Sequence, residues 1–225
     1  MTQYAIGFDV YGTLVDPLQM NQHLRPLIGE QADRFAELWR EKQIEYAFRR
    51  GLMEKYENFE VCTRQGLVYT MMAMKVELSD TDQERLMEEY QNLSAFPDVL
   101  DGLKTLKSQG HKMAAFSNGV PEHVKTLLER ASVLQLLEGV ISVDEVNTYK
   151  PNPVVYRHLA KRLERPLDQT WLISSNAWDV IGAKAAGLKA AWIKRSENKI
   201  FDPWGIDADA VVSDLRALAD FMDGR

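Results

Sequence analysis

Three short polar clusters follow apolar runs in this sequence, and each contains side chains that can act as nucleophiles, bases or hydrogen-bond donors. Asp9 and Thr13 follow the run 4–8, and Gly12 between them provides a turn at which the backbone can approach a ligand. Lys150 lies on an extended stretch before a proline. The two other clusters are Ser117 with Asn118, and Ser174 with Asn176 and Asp179.

The apolar run before each cluster has the length of a buried strand. The carboxyl ends of parallel strands lie along one edge of a sheet, where open α/β folds bind ligands, so we expect the clusters to converge there with Lys150. An ammonium group beside Asp9 would favour its ionised form, and an ionised aspartate can act as a nucleophile. On its own, the first cluster could also be a strand that ends at a capping aspartate.

The composition is that of an ordinary globular protein, because 45% of the 225 residues are hydrophobic and 27% are charged. The net charge of −6, without a basic arm or patch, argues against nucleic acid as a partner. We see no apolar run of the roughly 18 residues that a membrane span needs and no signal-peptide pattern. Cys62 is the single cysteine, which excludes an intrachain disulfide and is consistent with a reducing compartment. We therefore expect a cytoplasmic protein without membrane partners.

The chain has two kinds of sequence pattern, which predict an α/β domain with an insertion. Residues 16–95 follow a helical pattern almost throughout, whereas helical and strand-like runs alternate afterwards. Such alternation is typical of βαβ units and a parallel sheet. We expect residues 1–15 and 96–225 to form an α/β core domain and residues 16–95 to form an inserted all-helical cap. Ser213 is a candidate cap of the final helix.

The motifs and their order resemble those of the haloacid dehalogenase superfamily, and more closely those of its L-2-haloacid dehalogenases. The matching blocks, which extend over nearly the whole chain, are Phe8-Asp9-Val10-Tyr11-Gly12-Thr13-Leu14, residues 39–46, Ser117-Asn118-Gly119, Tyr149-Lys150-Pro151 with Tyr156, and Ser174-Ser175-Asn176-Ala177-Trp178-Asp179. The resemblance implies a Rossmann-like parallel sheet flanked by helices, with a helical cap after the first strand. The last block is the most specific, because related phosphatases have an acidic metal-binding motif there.

The resemblance also implies an enzyme that hydrolyses short-chain (S)-2-haloacids to (R)-2-hydroxy acids and halide, without a metal or other cofactor. Asp9 would attack C2 of the 2-haloalkanoate and form an ester, which water would then hydrolyse. Tyr11 stands where phosphatases have a second aspartate, and it cannot replace that aspartate as a Mg²⁺ ligand or as a general acid. Halide, in contrast, leaves without a proton. We expect a homodimer. The Met-rich predicted helix 58–76 could form its interface or could equally pack within the cap.

By the same resemblance, each residue of the site has an expected role. The catalytic set is Asp9, Thr13, Arg40, Ser117, Lys150, Tyr156, Ser174, Asn176 and Asp179. The substrate-binding set is Tyr11, Gly12, Arg40, Ile44, Phe59, Ser117, Asn118 and Trp178. Arg40 and Asn118 are expected to contact the halide, and Ser117 with nearby turn amides the substrate carboxylate. Asp179 is a candidate base for the hydrolytic water.

Several of these residues also have a simpler structural interpretation. Arg40 could be an exposed helix arginine that pairs with Glu37, although it shares a predicted face with apolar residues. Tyr156, Phe59 and Trp178 could be core aromatic residues. For the whole chain, the two alternatives are a metal-dependent phosphatase of the same fold and a non-catalytic binding protein.

Overall fold

A computed structural model describes residues 3–224 and contains a six-stranded, wholly parallel sheet. The strands are β1 (Ala5–Phe8), β2 (Lys112–Ser117), β3 (Val140–Ser142), β4 (Thr170–Ser174), β5 (Lys189–Ile193) and β6 (Ala210–Val212). The helices are α1 (Met20–Ile28), α2 (Ala32–Leu52), α3 (Phe59–Met74), α4 (Asp80–Glu89), α5 (Val99–Ser108), α6 (Pro121–Arg130), α7 (Pro153–Arg162), α8 (Ala177–Ala185) and α9 (Leu215–Asp223). The α/β fold class is therefore confirmed.

The strand order β3-β2-β1-β4-β5-β6 places β1 at the centre of the sheet. Every residue of β1 and β4 is buried, as expected for parallel strands with helices on both faces. Phe8 pairs with Ala115 of β2 and with Ile173 of β4, so Asp9 emerges between these two neighbouring strands. The order of the strands reverses at this point, and such a reversal opens a crevice at the carboxyl edge.

Helix boundaries follow local capping. Ser79 caps α4 as the sequence suggests, because its side chain accepts a hydrogen bond from the Asp82 amide at 3.1 Å. The cap predicted at Ser213 for α9 is wrong. The side chain of Asp214 accepts from the Ala217 amide at 2.8 Å, and a carboxylate in this position also interacts favourably with the helix dipole.

The helices α1 to α4 form one continuous insertion between β1 and α5, which we call the helical insertion (residues 16–95). Val15 and Ala95 pair as an antiparallel bridge where the chain leaves and returns, and the Phe96 amide donates to the Leu14 carbonyl at 3.0 Å. This pairing supports the boundaries expected after residue 15 and before residue 96. The division of the chain into a core domain and a cap stays a prediction. Within residues 3–224, no helix combines the length and the apolar composition that crossing a membrane requires.

Candidate active site

The centre of the site is the carboxylate of Asp9, which is only 6% exposed at the end of β1. Its Oδ2 accepts hydrogen bonds from Thr13 Oγ1 at 2.8 Å, from Asn176 Nδ2 at 2.8 Å and from Ser174 Oγ at 3.3 Å. Its Oδ1 accepts from Lys150 Nζ at 3.0 Å. The Asp9 carboxylate is thus held from several directions, by the turn after β1, by residues at the end of β4 and directly after it, and by Lys150.

Lys150 is 1% exposed, and its ammonium group binds three oxygens. Besides Asp9, Nζ donates to Asp179 Oδ2 at 2.9 Å and to the Phe116 carbonyl at 2.9 Å. Burial lowers the pKa of Lys150, but the carboxylates of Asp179 and Asp9 outweigh it and hold that pKa above its usual value. The lysine is therefore a permanent cation between two carboxylates.

Asp179 begins the buried face of α8 and is fully enclosed. Burial raises the pKa of its carboxyl, Lys150 lowers it, and Asp9 raises it again, with a net upward direction. Tyr156 on α7 donates from its hydroxyl to Asp179 Oδ1 at 2.8 Å. Burial raises the pKa of Tyr156 well above its usual value, so the phenol remains a donor. Tyr156 is therefore both a core aromatic residue and a partner of the site.

Arg40 on α2 supplies the charge on the opposite side of the site. Its Nη2 donates to the Tyr11 carbonyl at 3.2 Å, and its Nη1 donates to Gln43 Oε1 at 2.6 Å. The alternative pairing of Arg40 with Glu37 is wrong, because Glu37 binds Arg34 at 3.3 Å. The helical insertion therefore directs Arg40 toward the turn that follows β1.

The loop after β2 and the turn after β1 use part of their hydrogen-bonding capacity internally. Ser117 Oγ accepts from the Gly119 amide at 3.0 Å, and Asn118 Oδ1 accepts from the Lys150 amide at 3.2 Å. Gly12 has a φ of +91°, which favours glycine, and its amide donates to the Val15 carbonyl at 2.7 Å. The Gly12 amide therefore closes the turn, and the expected role of Gly12 in substrate binding stays a prediction.

Aromatic side chains surround these polar groups. The Tyr11 ring is buried 6.0 Å from that of Phe59, and the Trp178 ring lies 5.0 Å from that of Phe48. Ile44 is half-buried, one helical turn beyond Arg40. Phe59 is therefore a core residue that also faces Tyr11, whereas Trp178 and Ile44 are partly open to solvent.

The sequence from residue 5 to residue 187 matches the family described as haloacid dehalogenase-like hydrolase. The chain belongs to this family. The haloacetate dehalogenase H-2 of Moraxella sp. (strain B) is 36% identical, over 95% of this chain and 95% of the relative. The (S)-2-haloacid dehalogenase of Pseudomonas sp. (strain YL) is 33% identical, over 97% of this chain and 94% of the relative.

Among solved structures, this haloacid dehalogenase-like hydrolase is similar to the L-2-haloacid dehalogenase from Xanthobacter autotrophicus with chloropropionic acid covalently bound. The TM-score is 0.91 at 27% identity, and the match covers 99% of each chain. The resemblance to L-2-haloacid dehalogenases read from the sequence motifs is thereby confirmed.

Some residues of the site in this haloacid dehalogenase-like hydrolase were not predicted. The Ser175 amide donates to Thr13 Oγ1 at 2.8 Å, and its hydroxyl binds the Gly12 carbonyl. Arg195, two residues beyond the end of β5, donates to the Thr13 carbonyl at 2.6 Å and to Asp98 Oδ1 at 2.6 Å. Both residues follow strands, so the rule that found the other polar clusters could have found them. Gln43 lies inside α2 and follows no strand, so this rule could not have found it.

Proposed function

We propose that this chain is a hydrolase of carbon–halogen bonds that converts short-chain (S)-2-haloacids to (R)-2-hydroxy acids and halide. The observation that carries the proposal is the unequal binding of the two Asp9 oxygens. Oδ2 accepts three hydrogen bonds from neutral groups, whereas Oδ1 accepts one from Lys150. Three donors hold the carboxylate in one orientation and leave lone pairs of Oδ1 for attack. The Moraxella haloacetate dehalogenase and the Pseudomonas (S)-2-haloacid dehalogenase support cleavage of a carbon–halogen bond in a short haloacid.

In the first step, Asp9 Oδ1 attacks C2 of the haloacid from the side opposite the halogen. The Oδ1–C2 bond forms as the C2–halogen bond breaks, and the bonding electron pair leaves with the halide. Arg40 and Asn118 receive the halide, and no proton is needed. A single displacement inverts C2, which accounts for the change from an (S) substrate to an (R) product. The covalently bound chloropropionic acid in the Xanthobacter enzyme is consistent with such an intermediate.

In the second step, water attacks Cγ of the Asp9 ester and Asp179 accepts a proton from it. The bond between Cγ and the former Oδ1 then breaks. The product oxygen takes the proton, and the remaining proton goes to solvent as Asp9 regains its carboxylate. The upward direction of the Asp179 pKa, caused by burial against the opposing effect of Lys150, suits this role because it makes the carboxylate a stronger base.

The substrate carboxylate binds the Ser117 hydroxyl and the Tyr11 amide in this proposal. Ser117 Oγ already accepts from the Gly119 amide, so its proton can point to an anion. Phe59, Trp178 and Ile44 contact the short alkyl chain. Long substrates would displace these side chains, which is the reason for proposing short ones.

We also propose that the reaction needs no metal. The Asp9 carboxylate and the Tyr11 carbonyl are two oxygens that a cation could use, but Asn176 Nδ2 donates to both, at 2.8 and 3.2 Å. A donor group repels a cation from the position between these oxygens. Among residues 3–224, no cluster of three or more His, Cys, Asp or Glu side chains could hold a metal ion. These donor sets favour a dehalogenase over a metal-dependent phosphatase of the same fold.

We further propose a cytoplasmic homodimer that forms through α3. This helix exposes apolar side chains on one face, with Met72 75% exposed and Val68 44% exposed. A pair of such faces would remove this apolar surface from water. Replacing Met72 with Glu should therefore shift the protein from dimer to monomer in analytical ultracentrifugation. Wild-type protein that sediments as a monomer would contradict this part of the proposal.

Halide release from both enantiomers of 2-fluoro-, 2-chloro- and 2-bromopropionate tests the function directly. We expect release from (S)-2-chloropropionate with EDTA present, and a loss of at least about 10³-fold in Asp9→Asn, which keeps the shape of the side chain. A single turnover in H₂¹⁸O should place ¹⁸O in the Asp9 peptide, because water attacks Cγ. Label found only in the hydroxy acid would rule out the ester. Hydrolysis of p-nitrophenyl phosphate that depends on Mg²⁺, without halide release, would favour the phosphatase.

A further inference from the structure

Gln43 is a fully buried amide on α2, three residues beyond Arg40. Burying an amide is unfavourable unless hydrogen bonds within the protein replace those to water. Both polar atoms of the Gln43 amide have such partners. Its Oε1 accepts from Arg40 Nη1 at 2.6 Å and from the Tyr90 hydroxyl at 3.0 Å. Its Nε2 donates to Thr63 Oγ1 at 2.5 Å. The amide thus connects Arg40 to α3 and to the residue that follows α4.

The direction of these hydrogen bonds is determined by the backbone of α3. Thr63 Oγ1 donates to the Phe59 carbonyl at 2.8 Å, and a carbonyl can only accept. The single hydroxyl proton of Thr63 is therefore used, so Thr63 must accept from the nitrogen of Gln43. The Gln43 oxygen consequently faces Arg40. We call this chain of groups, from the Phe59 carbonyl through Thr63 and Gln43 to Arg40, the Gln43 relay.

Packing between the two helices fixes the relay in place. A Cβ at Gly66 would lie 3.1 Å from the Gln43 backbone nitrogen, so the missing side chain allows α3 to approach α2 closely. Trp39 Nε1 donates to the Thr63 carbonyl at 2.8 Å and adds a second link beside the relay. Burial raises the pKa of Tyr90, although Arg40 opposes this effect, so its phenol stays protonated and donates to Gln43.

We propose that Gln43 is the positioning residue that directs Arg40 at the departing halide. The inference rests on the role that the proposed function gives to Arg40. Gln43 holds Nη1 while the Tyr11 carbonyl holds Nη2, which fixes the guanidinium plane at two points. A guanidinium has five N–H donors, so others remain for the anion. Gln43 does not itself touch the reacting atoms.

Gln43→Met, which keeps an unbranched side chain of similar length, removes the acceptor for Arg40. We expect kcat for (S)-2-chloropropionate to fall about 10- to 100-fold with little change in KM, because a displaced group loses transition-state contacts first. The loss should be smaller for the bromo acid, whose leaving group needs less assistance. In an Arg40→Lys background, the same substitution should have almost no further effect on kcat. Multiplicative losses in the double variant would overturn the proposal.

Two threonines of α3 provide a matched pair of control variants. Thr63 and Thr70 are both buried, and each donates to the carbonyl four residues earlier at 2.8 Å. Thr63 alone of this pair also accepts from Gln43. Thr63→Val should lower kcat about 3- to 10-fold, whereas Thr70→Val should leave it unchanged. Equal effects of the two substitutions would contradict the relay, even if Gln43→Met fails to fold.

A measurement that needs no turnover separates this inference from the proposed function. In NMR spectra of ¹⁵N-arginine-labelled protein, the side-chain signal of Arg40, assigned by its loss in Arg40→Lys, should show slow rotation and protection from exchange. Gln43→Met should abolish both properties. If the wild type releases no halide but the Arg40 signal behaves in this way, the proposed function fails and the positioning stands. If halide is released and the signal is unchanged in Gln43→Met, the positioning role fails.

Discussion

The two sides of the candidate site hold their charges in different ways. On the side of the sheet, Lys150 lies between the carboxylates of Asp9 and Asp179, and all three side chains are at least nine-tenths buried. On the side of the helical insertion, Arg40 is half-buried, and its hydrogen bonds go to the Gln43 amide and the Tyr11 carbonyl. Among residues 3–224, no carboxylate forms an ion pair with Arg40.

Because the two sides hold their charges differently, substitutions on each side should have different effects on stability and on activity. Buried charges that neutralise one another leave a large uncompensated charge when one of them is removed. A guanidinium held only by neutral groups keeps its net charge, and it can bind an anion without first breaking an ion pair. We therefore expect substitutions on the sheet side to affect folding and turnover together, and substitutions on the insertion side to affect mainly turnover.

The largest effect is expected for Lys150→Met, which removes the buried cation and keeps most of its volume. Asp9 and Asp179 would then face each other without compensation. The free energy of unfolding should fall by about 3–5 kcal/mol, the usual cost of breaking a buried ion pair. Halide release should fall by at least about 10³-fold, because the Asp9 nucleophile would lose its cationic partner and the hydrogen bond that orients its Oδ1. Urea unfolding and a halide assay measure the two losses.

Lys184→Met is the matched control for this substitution. Lys184 pairs with Asp209 at 2.8 Å in the same α/β unit, but both side chains are partly exposed. Such pairs contribute about 1 kcal/mol or less, and the site is not involved. If Lys150→Met unfolded at the same urea concentration as Lys184→Met, the view that paired charges stabilise the sheet side would be wrong.

Arg40→Lys tests the other half of the comparison and should produce a smaller effect. One ammonium group cannot hold Gln43, the Tyr11 carbonyl and a halide in the geometry of a guanidinium. We expect kcat to fall about 10²-fold, with a loss of about 1 kcal/mol or less in the free energy of unfolding. Arg34→Lys, on the exposed face of the same helix, should change neither quantity. Strong destabilisation in Arg40→Lys would remove the contrast between the two sides.

The sheet side of the site could be predicted from short stretches of sequence. A parallel strand delivers its last residues to a known edge, so Asp9, Ser174 and Asn176 could be placed without knowing their neighbours. The register then brings them together, because Asn176 and Ser174 both reach Asp9 Oδ2. The fold class followed from the same strand pattern.

The insertion side could be predicted only in part, for a physical reason. Arg40 was expected to act at the site because of the family resemblance, and its place on an apolar helix face supported this role. Gln43, in contrast, has the sequence character of a solvated helix residue, and only the packing of α3 against α2 buries it. Its burial depends on the close approach at Gly66, which links residues 23 positions apart in the sequence. The error at Ser213 is of a different kind, because Asp214 is an equally good cap one residue later.

The smallest effect is expected for a substitution of His111. This substitution tests whether the paired charges of the site alone account for the loss of stability as the pH falls. This buried residue precedes β2, at the sheet edge opposite the site. Its Nδ1 accepts from the Tyr4 amide at 3.2 Å, while its Nε2 is buried without a hydrogen-bond partner among residues 3–224, so the ring is neutral. Burial lowers the pKa of His111, and Asp223 opposes this effect only partly.

The unfolded chain therefore binds a proton at His111 at a higher pH than the folded protein does. Stability owed to the neutral ring is complete above the usual histidine pKa of about 6.5 and is lost as the pH falls through the lowered pKa of the folded state. This loss cannot exceed about 1.4 kcal/mol per pH unit, the limit for one proton. His111→Asn keeps an acceptor for the Tyr4 amide but does not titrate, so urea midpoints between pH 7 and pH 5 should fall less steeply in this variant. Parallel profiles of variant and wild type would assign the acid sensitivity to other groups, the carboxylates paired with Lys150 among them.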